Sequence, residues 1–356
     1  MDAVRRALVA LACLPLVASV SLAQVKIESR ALEIDITGRL HTQWNTTSVD
    51  GPISNEFLIR RARLTAEIKV SDLVSGKIQP DYGEGELSLK DAYVRLSFDP
   101  AFRATMGQFK RPFDLFELTS STQILVIERA GGIRGVDACA GVGGVCSFSR
   151  LMERLEYADR DIGLMLDGAV ADAWHYMFSV TNGTGADEED VNGAKSFSGR
   201  LEFSPIADLA FGGNVAVHDY ENGVLMETER GTAFGGDVEW GNFDEGLHIQ
   251  AGLAAGDNWE NLDDDGDPST FLTGQGIITY KIPLRNARFL EAIEPVGRLS
   301  WADPDDDAED DEGILFTPGL VAFFSGRNKI AVNVDIWSPA EGDSEMSVKV
   351  QSYLHF

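Results

Sequence analysis

Eight basic residues between positions 61 and 134 are the side chains best suited to chemistry on small ions. Four recur along strand-like segments, and four surround Pro112 and the pair Gly131-Gly132. Guanidinium and ammonium groups can replace part of an ion's hydration and still bind weakly enough to release it. We predict that a subset faces an aqueous path. The eight are Arg61, Arg63, Lys69, Arg95, Lys110, Arg111, Arg129 and Arg134.

The same cations have an alternative, purely structural role. Carboxylates lie close to them in the sequence, and charge pairs along an inner wall need imply no selectivity. The expected partners are Glu67, Asp91, Asp114, Glu117 and Glu128. The sequence leaves open which cations pair and which remain available.

No residue pattern predicts catalysis. The five histidines stand outside any recognisable nucleophile motif, and no glycine-rich phosphate loop, zinc motif or haem motif is present. They are His41, His175, His218, His248 and His355. We expect no enzymatic activity.

The segments that carry these residues alternate between apolar and polar positions. In Phe57–Val70 the even positions from Leu58 onward are apolar except for Arg60, and odd positions such as Arg61 and Arg63 are charged. Such alternation is typical of half-buried strands. About 16 strands of this kind follow one another along the chain, enough to enclose an aqueous channel.

Both ends of the chain favour a membrane barrel over a soluble sandwich. Residues 1–23 have a basic start, an apolar run and Ser21-Leu22-Ala23, which predicts a signal peptide followed by a single barrel over 24–356. The last segment alternates and ends in Phe356, resembling the signal read by the outer-membrane assembly machinery. Short turns also alternate with longer polar loops. We therefore expect an all-β, transmembrane antiparallel barrel in contact with outer-membrane lipid.

After removal of residues 1–23, two cysteines remain, Cys139 and Cys146. They flank a glycine-rich segment that can fold back on itself. In an exported protein they are expected to form one disulfide.

Negative charge is concentrated in the second half of the chain. Residues 24–160 hold 18 basic and 19 acidic residues, whereas residues 161–356 hold 10 and 37. The excess lies in Asp187–Asp190, Asp263–Asp267 and Asp303–Glu312, which we interpret as solvated extracellular loops. A formal net charge of −27 argues against nucleic-acid binding.

One acidic loop weakly resembles a calcium site. Asn261, Asp263 and Asp265, followed by Gly266, match the start of an EF-hand-like loop, but its twelfth position is Leu272 instead of a bidentate glutamate. A structural calcium on Asp263, Asp265 and Asp267 is the alternative to a solvated acidic surface; no other cofactor is expected.

The first half of the chain carries several motifs in a distinctive order. The most specific is Met106–Phe113, and the order and spacing of all of them resemble the phosphate-selective porin O and P family over residues 57–168. The motifs are Phe57–Leu64, Leu89–Val94, Met106–Phe113, Glu117–Ser121 with Glu128-Arg129, and Arg160–Leu166.

The resemblance implies a sixteen-stranded, trimeric porin of the outer membrane of a Gram-negative-type bacterium. It further implies a third loop, here roughly 110–154, that folds inward and narrows the lumen beside arginines and lysines. The expected function is passive diffusion of small hydrophilic solutes and ions, including phosphate or other anions. Acidic loops at the mouth would instead favour cations. The alternatives are thus a cation-preferring general porin and a non-conducting structural or adhesive barrel.

Overall fold

A computed structural model describes residues 31–49, 55–131, 146–285 and 287–356. In this part of the chain sixteen antiparallel strands pair with their sequence neighbours, and β16 pairs with β1 to close a barrel. The predicted strand number and architecture are confirmed. The strands are β1 Glu33–Thr47, β2 Asn55–Lys69, β3 Val74–Asp81, β4 Ser88–Asp99, β5 Phe102–Lys110, β6 Arg160–Ala171, β7 Trp174–Thr181, β8 Ser196–Ile206, β9 Leu209–Asn222, β10 Glu227–Trp240, β11 Gly246–Leu262, β12 Pro268–Pro283, β13 Ala292–Asp303, β14 Gly313–Ser325, β15 Asn328–Pro339 and β16 Glu345–His355.

Mostly short turns join the strands at one end of the barrel, called here the turn end, and the longest connections lie at the other end, called the loop end. The acidic runs fall in loop-end connections or at their edges, as predicted. The connections used below are L3 (111–159), L4 (182–195), L5 (223–226), L6 (263–267), L7 (304–312) and L8 (340–344). L3 begins one residue later and ends five residues later than the predicted 110–154, because the β5–β6 ladder closes with the pair Lys110 and Arg160.

L3 contains two short helices, α1 (Leu115–Leu118) and α2 (Phe148–Arg154). The side chains of Asp114 and Ser147 cap them by accepting hydrogen bonds from the amides of Phe116 and Arg150. A 3₁₀ turn, Gly83–Gly85, lies between β3 and β4. No helix of the described residues is long and apolar enough to cross a bilayer.

A bulge in β2 changes which residues face the lumen. His41 pairs with Arg61 but Thr42 pairs with Ile59, so Arg60 is an extra residue. Phe57 and Ile59 are exposed on the outer wall on one side of the bulge. One inserted residue inverts the alternation, so the apolar face predicted after Arg60 does not extend to Leu58 on the other side of the bulge.

The two surfaces of the barrel wall differ in polarity. Large apolar side chains such as Met106, Phe178 and Leu253 are exposed on the outside, which suits contact with lipid hydrocarbon. The inside is rich in buried polar and charged side chains, among them Gln43, Arg298 and Lys349.

The inner wall of β9–β13 differs because small and apolar residues lie there among the polar ones. Side chains of L3, including Phe113, Phe116 and Leu151, pack against Ala216 and Ala254 of this wall in one buried apolar cluster. A Cβ added to Gly252 would lie 3.1 Å from the Phe116 ring. Small wall residues thus make room for the apolar side of L3.

Candidate permeation path

L3 is held against the inner wall by hydrogen bonds with β13, β15 and β16. Arg298 of β13 donates to the Glu128 carbonyl at 2.8 Å, and Lys349 of β16 donates to the Gly131 carbonyl at 2.6 Å. The Ile127 amide donates to the Asn333 side chain of β15 at 2.7 Å. These contacts place this segment of L3 inside the barrel.

The wall side chains that hold L3 belong to a buried charge network. Asp335 accepts a hydrogen bond from Arg298 at 2.9 Å and also binds Lys349 and the Thr317 hydroxyl. Arg298, Asp335 and Lys349 are each at most 1% exposed. Charges so deeply buried need their partners, so this network fixes a rigid support for L3.

Five cations of β1–β6 face the polar side of L3. We call Arg39, Arg63, Lys90, Lys110 and Arg160 the basic row. Arg39 donates to the Ser121 hydroxyl of L3 at 2.6 Å, and Arg63 approaches the same oxygen at 3.4 Å. Lys90 lies close enough to Arg63 and Arg160 for their charges to interact. Cations from five of the first six strands therefore converge on one edge of the loop.

The carboxylates beside the basic row do not neutralise it. Arg63 pairs with Asp81 at 2.6 Å, but Arg160 shares Asp91 with Lys77, at 2.7 and 2.9 Å. Asp159 is a more distant partner of Arg160, at 3.6 Å. Lys90 forms no hydrogen bond or ion pair through its ammonium group with the described residues.

Glu117 of α1, like Asp159 at the end of L3, is a loop carboxylate bound to the basic row. It pairs with Lys110 at 3.1 Å and with Arg129 at 3.4 Å. Burial alone would raise the pKa of Glu117, but Arg129, Lys110 and Arg160 lower it to about 2. The group is therefore ionised at neutral pH and serves two cations at once, which leaves the row with excess positive charge.

The basic residues proposed from sequence occupy three kinds of position. Arg63 and Lys110 belong to the basic row, and Lys69 and Arg95 lie at the turn end. Lys69 pairs with Asp72 at 2.8 Å, and Arg95 donates to Thr105 at 2.9 Å over the ring of Tyr93. The turn-end pair borders a polar cavity of about 440 Å³.

The other predicted cations hold the loop or its base. Arg61 is 3% exposed and contacts Glu128 at 3.4 Å. Arg111 is 2% exposed and donates to the carbonyls of Glu156 and Ala158, while Arg129 donates to the Phe116 carbonyl at 2.8 Å. Arg134 lies outside the described residues.

Of the five carboxylates expected to pair with the eight predicted cations, Glu117 and Glu128 do so in the described structure. Glu67 and Asp91 pair with Lys77, and Asp91 also with Arg160. Asp114 instead caps α1. Burial raises the pKa of Asp114 to about 7, so part of this group is protonated at neutral pH.

Three members of the basic row were not predicted as pore residues. Arg39 follows the alternation of β1 with His41 and Gln43, so its inward position was readable. Lys90 lies in a bulge where Ile78 pairs with Ala92 and Pro80 with Leu89, which no alternation reveals. Arg160 begins β6 and was noticed only as part of a motif.

The remaining predicted sites are only partly described. Cys146 is disulfide-bonded, and its expected partner Cys139 lies outside the described residues. In L6 one Asp263 oxygen accepts hydrogen bonds from the amides of Asp265 and Asp267, each at 2.9 Å. No group of three potential metal ligands occurs in the described residues, so calcium binding by Asp263, Asp265 and Asp267 stays a prediction.

Comparison with known structures places the fold among bacterial outer-membrane channels. The anion-selective porin of Comamonas acidovorans has 12% identity and a TM-score of 0.64, covering 91% of this chain and 99% of that one. The outer membrane channel DcaP of Acinetobacter baumannii has 12% identity and a TM-score of 0.63, covering 91% of this chain and 97% of that one. The trimer form of OmpT of Vibrio cholerae has 12% identity and a TM-score of 0.56, covering 90% of this chain and 99% of that one. No curated protein matches the chain.

A family model gives the more specific result. The model of the phosphate-selective porin O and P family matches residues 34–238, more than half of the chain. These residues include β1–β9, most of β10, L3 and the whole basic row. The chain therefore belongs to the phosphate-selective porin O and P family and is a channel of the porin type in the outer membrane of a Gram-negative-type bacterium.

Proposed function

We propose that this porin passes small hydrophilic anions, inorganic phosphate among them, in preference to cations. The observation that carries the proposal is the basic row, whose cations outnumber the carboxylates bound to them. Lys90, without a partner in the described structure, is available to a passing anion. Arg39 and Arg63 both donate to the Ser121 hydroxyl oxygen, and an anion at the position of this oxygen would be bound by the same two donors.

A cation preference remains the competing proposal because of the acidic loops. Two of the three acidic loops, L6 and L7, however, rise from β11–β14, across the barrel from β1–β6 and the basic row. At physiological salt a charge acts strongly over about 8 Å only. Selectivity is therefore set where ions contact the wall, at the basic row, more than at the acidic rim.

The reversal potential of single channels in a KCl gradient tests the proposal. We expect an anion-preferring value for the wild type and a shift toward cation preference for Lys90→Gln and Arg39→Gln. Lys69→Gln is the matched control, since Lys69 is exposed beside Asp72 at the turn end. A cation-preferring wild type refutes anion selectivity, and absence of conductance together with absence of liposome swelling refutes the porin role.

We further propose that the exported chain, after loss of residues 1–23, assembles as a homotrimer through the assembly machinery that reads Phe356. The trimer form of the OmpT structure supports the oligomeric state. Phe356 exchanges backbone hydrogen bonds with Gly38 and exposes 67% of its surface at the β1–β16 seam. Chemical crosslinking of the purified barrel tests the trimer, and outer-membrane yield of Phe356→Ala tests the signal.

A further inference from the structure

The tip of the β9–β10 hairpin exposes three consecutive apolar side chains. Val224, Leu225 and Met226, called here the apolar tip, are 47%, 46% and 83% exposed. Runs of exposed apolar residues are unfavourable in water and are uncommon without a function. The tip is therefore a surface that needs a partner.

Lipid does not explain the apolar tip. The outer face of the hairpin is apolar at Val215 and Phe234 but charged at Glu221 and Arg230, which mark a polar zone before the tip. Seven residues separate Val215 from the end of β9, a strand length of about 20 Å. The tip thus stands beyond the apolar band that contacts hydrocarbon.

The tip is held in a fixed conformation. The buried side chain of Asn222 accepts hydrogen bonds from the amides of Val224 and Leu225, each at 3.0 Å, and donates to the Gly266 carbonyl of L6 at 2.8 Å. Met226 adopts a φ of 58°, a left-handed conformation that costs energy for this residue. Asn222 therefore keeps Met226 outward and fixes L5 against L6.

L6 places negative charge beside the apolar tip. Asp263, Asp264, Asp265 and Asp267 are exposed, and a Cβ on the intervening Gly266 would lie 2.8 Å from Leu225. None of these four carboxylates pairs with a cation in the part of the chain that the structure describes. The result is an apolar centre beside an unneutralised acidic edge, held together by Asn222.

We propose that the apolar tip and L6 form a docking surface for a basic, amphipathic polypeptide segment. The apolar face of such a segment covers Leu225 and Met226, and its lysines or arginines meet the L6 carboxylates. Charge complementarity favours this occupant. A second copy would bring another acidic loop face, and lipid phosphates would bring like charge, so both are repelled.

Binding of a labelled helical peptide made of leucine and lysine tests the proposal, with the barrel in nanodiscs of zwitterionic lipid. The readout is fluorescence anisotropy, corrected for empty nanodiscs. We expect at least tenfold weaker binding for Leu225→Ser/Met226→Ser and for Asp263→Asn/Asp265→Asn. The matched control, Glu341→Gln/Asp343→Asn in L8 across the barrel, is expected to bind within twofold of wild type.

Conductance equal to that of wild type shows that each variant is folded. Unchanged binding by Leu225→Ser/Met226→Ser overturns the proposal, because charge alone then attracts the peptide. Equal loss in the L8 control also overturns it, because binding is then not local to this surface. Self-association of the barrel that depends on Leu225 and Met226 would identify a second copy as the occupant instead.

Discussion

Replacing Glu128 by glutamine isolates the strongest link between L3 and the basic wall. Glu128 is 8% exposed, accepts hydrogen bonds from Arg60 at 2.7 and 3.0 Å and contacts Arg61 at 3.4 Å. Burial alone would raise the pKa of Glu128, but Arg60 and Arg61 lower it from 4.5 to about 2. At 1.36 kcal/mol per pH unit, this depression corresponds to roughly 3 kcal/mol of stabilisation.

The pH dependence follows from the direction of this shift. A carboxylate whose pKa is lower in the folded state stabilises the protein fully above its unfolded pKa, and the contribution is lost as the pH falls through the folded value. We expect Glu128→Gln to be about 3 kcal/mol less stable than wild type at pH 7. The difference should shrink as the pH falls from about 4.5 toward about 2.

Urea unfolding in lipid vesicles, followed by tryptophan fluorescence at several pH values, measures this difference. Glu56→Gln is the control, because Glu56 lies on β2 near Arg60 but pairs with no cation among the described residues; its effect should stay within about 0.5 kcal/mol. A gap between wild type and Glu128→Gln that stays constant from pH 7 to pH 2 would refute the reasoning.

Three further substitutions test other parts of the barrel. Burial raises the pKa of Asp114 to about 7, so the wild type should lose stability, up to roughly 4 kcal/mol, as the pH rises from about 4 to 7, and Asp114→Asn should abolish that loss in the same unfolding assay. Asp335→Asn leaves Lys349 buried without its carboxylate and should cost about 3–5 kcal/mol of unfolding free energy; an effect below about 1 kcal/mol would contradict the network. Gly38→Ala places a Cβ 2.2 Å from the Phe356 ring and should lower the unfolding free energy by about 1–3 kcal/mol. The double variant with Phe356→Ala should recover most of this loss, as measured by heat-dependent gel mobility and urea unfolding. Additive losses in the two variants would argue against this contact.

The barrel could be predicted from sequence because a wall between lipid and water imposes an alternation of period two on every strand. Trp174–Thr181, for example, begins and ends where the alternation does. The same regularity places Arg63 inside the lumen. At the inserted residue Arg60 the alternation inverts, so the apolar face predicted after Arg60 does not continue to the residues before it.

The positions of the cations inside the barrel could be predicted only in part. An irregular loop has no period, so nothing in the sequence shows that Arg111 turns into the base of L3 while Lys110, its neighbour, contacts Glu117. The partners that decide availability are distant in sequence: Arg39 and Ser121 are 82 residues apart. The inward position of Lys90 could not be predicted, because the bulge in β4 interrupts the alternation there.

The two bulges raise the linear charge density of the lumen without changing the size of the barrel. Strict alternation allots half of each strand to the interior, so more pore charge would ordinarily need longer strands or a wider ring. An inserted Arg60 in β2 and an inserted residue at Lys90 in β4 escape this limit, since each adds an inward cation while the outer face keeps its apolar side chains. Deleting either residue would restore the regular ladder and remove one inward-facing cation, so the number of residues in a strand here also determines the charge of the inner wall.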